Sequence, residues 1–223
     1  MLPFLSTPAQ ATDPGLHELV VPLAGVSVEL TAVLPVPDPA DPTPPLVVAL
    51  HYAGGRGVPH YATGLVTDLV APGLAELGAV VVAPDCPGAS WTDPASERVV
   101  LALVEYAVKT WHADPKRVVV TGYSMGGAGA WFLAARHPEV FAAAVPIASD
   151  PGANPATDRV PTYAIQGRQD EVFRVGPVQD GVAALVARGV PAEVHLIDRS
   201  HYQVPLYHDA LAAAVPWLRQ RFP

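Results

Sequence analysis

The chain has 223 residues, half of them hydrophobic and only 15% charged, which is enough apolar material for one large core and rules out a disordered chain. Thirteen basic against twenty-one acidic residues leave a net charge of −8, the wrong sign for a nucleic-acid partner. No apolar run approaches the roughly 18 residues of a membrane span, and a single cysteine, Cys86, excludes an internal disulfide framework.

Residues 1–10 (MLPFLSTPAQ) lack a basic region before their short apolar stretch, so they read as a cytoplasmic or mature start rather than a secretory signal. Residues 17–22 and 26–34 then read as a β-hairpin turning at Gly25. Residues 35–45 hold much of the chain's excess of proline and are expected to form a stiff surface loop. Five short apolar runs follow, at 46–50, 79–83, 117–121, 142–147 and 161–166. They have the signature of strands covered on both faces, and 193–197 is a last strand. Helices are expected over 61–77, 94–111, 128–136 and 178–188, the last closed by Gly189. A final helix over 204–221 should kink at Pro216 and carry Val204, His208, Leu211, Val215 and Leu218 on its apolar stripe. Strands alternating with helices imply an α/β fold, a mostly parallel, doubly wound sheet in a single domain spanning 1–223.

The chemistry is concentrated after the strand at 117–121, where Gly122-Tyr123-Ser124-Met125-Gly126 leads into a helix-forming segment. This is G-x-S-x-G at a strand-to-helix junction, the context in which such a turn lifts a serine hydroxyl into reach of a substrate. The helix N-terminus behind it adds partial positive charge where an oxyanion would form. A serine hydroxyl needs a base to take its proton, and the base needs an acid to orient it. His201, on the loop after the last strand, is the candidate base. Asp170, just past the strand at 161–166, is the candidate acid, with Asp150 and Glu171 as alternatives. His208, the second candidate base, falls on the apolar stripe of the last helix and reads as a packed core histidine; His195 and His137 read as structural or exposed. Ser124, Asp170 and His201 all fall at carboxyl ends of strands, where an open α/β sheet forms its crevice. For the anion, the expected donors are the N–H of Met125 and, from His51-Tyr52-Ala53-Gly54-Gly55, that of Ala53 or else Tyr52.

Residues 114–149, DPKRVVVTGYSMGGAGAWFLAARHPEVFAAAVPIAS, resemble the serine esterases of the α/β-hydrolase superfamily. The similarity is greatest to small carboxylesterases of the dienelactone-hydrolase and prolyl-oligopeptidase-like branch, which includes feruloyl-esterase and polyester-depolymerase relatives. The resemblance implies an α/β-hydrolase fold with Ser124 as nucleophile, Asp170 as acid and His201 as base, and no cofactor or metal. One departure stands out: the usual His-Gly of the oxyanion loop is His51-Tyr52 here. A serine also replaces the cysteine nucleophile of dienelactone hydrolases proper, which argues against that activity.

Only thirteen residues, 149–161, lead from the strand at 142–147 into that at 161–166, too few for the helical cap of many relatives. An open cleft without interfacial activation is expected, with Trp91 and Tyr52 as candidate substrate contacts and Tyr123 and Phe173 as further aromatics beside them. No nucleotide fingerprint occurs, His195, His201 and His208 lack metal-ligand spacing, and Cys86 reads as a buried filler. The expectation is a hydrolase of short-chain or aryl esters acting on small molecules, its oligomeric state open. The same machinery would serve a feruloyl or polyester esterase, a thioesterase or a peptidase. A binding protein retaining the fold is the non-catalytic alternative.

Overall fold

The computed structural model describes residues 11–152 and 159–223. β1 (Gly15–Leu23) and β2 (Val26–Leu34) form the hairpin, and β3 (Leu46–Leu50) follows the proline-rich loop. The segment to β4 (Val80–Pro84) holds α1 (Ala62–Leu65), a π turn (Val66–Val70), α2 (Ala71–Gly73) and a 3₁₀ turn (Ala75–Leu77). Then come α3 (Pro94–Trp111), β5 (Val118–Tyr123), α4 (Met125–Arg136), β6 (Ala143–Ile147), β7 (Thr162–Gly167), α5 (Val175–Val186) and β8 (Ala192–Ile197). A 3₁₀ turn (Val204–Tyr207), α6 (His208–Ala212) and α7 (Val215–Arg219) close the described chain.

All eight strands join one sheet in the order β1-β2-β4-β3-β5-β6-β7-β8, antiparallel for β1 to β2 and β2 to β4 and parallel beyond. Because successive side chains on a strand point to opposite faces, β3 feeds two cores. Val47 and Ala49 pack with the 62–77 segment, α6 and α7. Leu46, Val48 and Leu50 pack with α3 and α4. The winding reverses between β3 and β5, whose register pairs Leu50 with Gly122. Crevices at strand ends open where the order reverses, so the loops beginning at His51 and Ser124 meet there.

Proline accounts for the places where the expected helices differ. Pro72 offers no N–H and crowds the carbonyl of Asp68, and the expected helix over 61–77 widens there into a π turn before α2. Pro216 does the same to Ala212, where α6 ends, so the last helix is two short helices rather than one with a kink. Pro177, by contrast, lies in the first turn of α5, where its missing N–H would have had no partner. The 35–45 loop is largely exposed and is pinned by the Arg117 guanidinium, which donates to both Asp41 carboxylate oxygens at 2.8 and 2.7 Å. No helix among the described residues is long and apolar enough to cross a membrane. The expected absence of a cap rests partly on residues 153–158, which lie outside the described residues.

Candidate active site

The turn between β5 and α4 is set by steric necessity. Ser124 sits at φ +56° and ψ −114°, a conformation side chains rarely adopt. A Cβ on Gly126 would overlap the Leu50 carbonyl, and one on Gly122 would overlap the carbonyl of Gly126 itself. Only glycine lets β5, α4 and the end of β3 approach this closely.

Ser124 Oγ donates to His201 Nε2 at 2.9 Å, and His201 Nδ1 donates to Asp170 Oδ2 at 2.9 Å. The Asp170 carboxylate is fully buried, and its other oxygen accepts the N–H groups of Val172 (2.8 Å) and Phe173 (2.7 Å). Gln166 braces the same loop by donating to the Phe173 carbonyl at 2.8 Å. The Asp170 carboxylate is therefore fixed by its own loop as well as by His201.

The alternatives lie elsewhere. Asp150 takes the N–H of Gly152 at 2.9 Å, and Glu171 takes the backbone N–H of His201 at 2.9 Å rather than its ring. His195 stacks on Tyr163, and His137 lies 2.6 Å from Glu97. His208 is not the packed core histidine expected. It opens α6 directly after a 3₁₀ turn, off the regular stripe, and its side chain is 42% exposed and lies 2.6 Å from the Pro205 carbonyl. Cys86 is half-buried, its Sγ 3.5 Å from Ser96 Oγ, and burial pushes its thiol pKa up.

Met125 opens α4, so its N–H has no helical partner, and Ala53 and Met125 line a common cavity of about 750 Å³. Gly55, Arg56, Asp85 and Cys86 line it as well. Tyr52 is half-buried, with its ring 6.4 Å from Tyr123 and 5.6 Å from Tyr61. Trp91 does not overhang the cleft. It is fully buried, its indole N–H donates to the His51 carbonyl at 2.8 Å, and it fills the space left by the absent side chain of Gly129. A large apolar ring gains more from the core beneath the loop than from the solvent-facing rim.

Two features escaped the sequence reading. His51 is a strut: Nδ1 donates to the Tyr52 carbonyl at 2.6 Å and Nε2 accepts the Cys86 N–H at 3.0 Å. That pattern needs the neutral ring, and burial lowers the His51 pKa accordingly. The second is Tyr202, 74% exposed with its ring 5.5 Å from that of His201, which also has a half-buried Phe173 at 5.7 Å. Nothing in its flanking sequence distinguishes it from any other loop tyrosine.

This elbow on a doubly wound sheet matches the model of the alpha/beta hydrolase fold over residues 45–179, and the chain belongs to that family. Feruloyl esterase B of Neurospora crassa is 36% identical over 121 aligned positions, covering 48% of this chain and 40% of that protein. Acetylxylan esterase A of Aspergillus ficuum is 31% identical over 121, covering 48% and 38%. The match thus spans well under half the length of these curated relatives. Among solved structures, a thermostable esterase superposes with a TM-score of 0.72 at 25% identity, over 92% of this chain and 62% of that one. A lidless α/β serine hydrolase from Xanthomonas campestris gives 0.72 at 20% identity, over 95% and 97%, a likeness of fold.

Proposed function

We propose that this chain is a cofactor-free serine hydrolase of carboxylic esters, working as one uncapped domain on small ester substrates. The observation that carries the reading is the unbroken relay from Ser124 Oγ through His201 to buried Asp170, with 2.9 Å at each link. In this reading His201 takes the Ser124 proton as Oγ attacks the acyl carbon. The N–H groups of Met125 and Ala53 receive the oxyanion, and His201 returns the proton to the leaving alcohol. Water, activated by the same imidazole, then releases the acid, while Asp170 holds the ring's orientation and stabilises the imidazolium. Relatives named feruloyl esterase and acetylxylan esterase support an ester as substrate. Phe173 and Tyr202 beside His201 favour aryl or short, flat acyl groups over long chains.

The test is hydrolysis of p-nitrophenyl esters from acetate to palmitate, with an aryl ester added, beside S124A. Turnover should fall with chain length, and S124A should lose at least about 10³-fold in kcat. Equal inertness of both proteins, together with no fluorophosphonate labelling of the wild type, would instead mean a binding protein that retains the fold.

A further inference from the structure

His201 lies between β8 and a 3₁₀ turn, on a stretch with no ladder to hold it, yet it is only 7% exposed. Among the described residues neither its N–H nor its C=O has a main-chain partner; both are taken by side chains. Glu171 Oε2 accepts the N–H at 2.9 Å, and Tyr123 Oη donates to the carbonyl at 2.7 Å. Buried peptide groups need partners, but these two come from informative places. Tyr123 immediately precedes Ser124, and Glu171 immediately follows Asp170. The peptide of the base is thus tied on one side to the segment carrying the serine and on the other to the loop carrying the acid.

We infer that Tyr123 and Glu171 are positioning residues that clamp the main chain of His201, so that its ring stays in line with Ser124 and Asp170. This rests on the hydrolase reading above. Two ring-nitrogen hydrogen bonds fix the ring but not the peptide that carries it, and the main-chain tie between this loop and the one after β7, Gln169 N–H to the Arg199 carbonyl at 3.2 Å, lies two residues away. The clamp fixes the His201 peptide itself. The Tyr123 ring is itself immobilised, fully buried with ring centres 5.2 Å from Tyr207 and 5.5 Å from His201. Tyr207 in turn donates to the Ser200 carbonyl at 3.3 Å, steadying the preceding peptide. Glu171 is exposed, so replacing it disturbs no packing. A displacement of about 1 Å in a reacting group can cost about 10²-fold, so a clamp made of single hydrogen bonds has a measurable kinetic effect.

The readout that needs no knowledge of the natural ester is the second-order rate at which a fluorophosphonate labels Ser124 in the full chain. Thermal unfolding is followed in parallel. Wild type should label and S124A should not. Y123F, which keeps the ring, and E171A should each label at least about tenfold more slowly while remaining folded, with KM for a p-nitrophenyl ester little changed. E171Q, whose amide oxygen still accepts the N–H, should recover most of the E171A loss. The inference is overturned if E171A and Y123F label within twofold of wild type, if E171Q is as slow as E171A, or if the slowing tracks a loss of folded protein. Failure of the wild type to label would instead sink the hydrolase reading beneath it, an outcome distinct from all three.

Discussion

The two sides of the candidate site are held by different physics. The serine side is fixed by backbone and sterics: a strained Ser124 between glycines so close to neighbouring carbonyls that no side chain fits. Asp170 and His201 sit instead on loops after β7 and β8, held by individual hydrogen bonds: Gln166 to the Phe173 carbonyl, Asp170 to two N–H groups, and Glu171 and Tyr123 to the His201 peptide. A steric site has almost no intermediate states, because it either forms or the local fold gives way. A site of single hydrogen bonds can be loosened stepwise, so geometry on this side is open to gradual tuning.

The contrast can be broken from either side. G126A should have the larger effect, since its Cβ would overlap the Leu50 carbonyl and neither backbone can yield. Activity should vanish, with destabilisation of several kcal/mol or failure to express, read by circular dichroism and denaturant unfolding. A soluble, native-like G126A retaining a tenth of wild-type turnover would show that the elbow is far softer than its packing implies. D170N should lose about 10⁴-fold in kcat with the fold retained, because the amide disfavours the ring tautomer that presents Nε2 to Ser124. A loss below about tenfold would move the acid to another residue.

How far this was legible in the sequence differs across the same divide. Short apolar runs sufficed for the strands, since burial on both faces leaves few other ways to place residues such as 46–50 and 117–121. The serine turn was legible because only glycine meets its steric demand, and Asp170 and His201 because chain order and strand ends restrict where partners can fall. Side-chain direction on loops was not. Trp91 and Tyr202 are both aromatics on loops, yet one is fully buried and the other 74% exposed. A signal for Trp91 did exist in Gly129, a residue that costs a helix interior about 1 kcal/mol unless something packs against it. Glu171 was weighed as a rival acid because its type was visible and its direction was not. The breaks near Pro72 and Pro216 were matters of degree, since a helix meeting proline can kink, widen or stop, and tertiary packing decides which.

The smallest expected effect concerns the strut beneath the 51–55 loop. His51 must be neutral to accept the Cys86 N–H through Nε2, and burial lowers its pKa below the ordinary value of 6.5. The unfolded chain therefore takes up a proton at a higher pH than the folded one does. The associated stability is fully present above about pH 6.5 and declines as pH falls towards the lowered folded value. Other shifts act in different windows. Asp41 and Glu97 are held below their ordinary carboxylate values of 3.8 and 4.5, so their contributions fade only at more acid pH. Burial raises Tyr123, and pushes Tyr207 up to about 12, so those contributions are lost only above about pH 10. Between pH 8 and 5, denaturant midpoints should fall with acidification in the wild type. H51Q should be less stable at pH 8 but show a flatter slope over the same range. Parallel slopes in the two proteins would mean that the loop tolerates a protonated His51 and that something else maintains its shape.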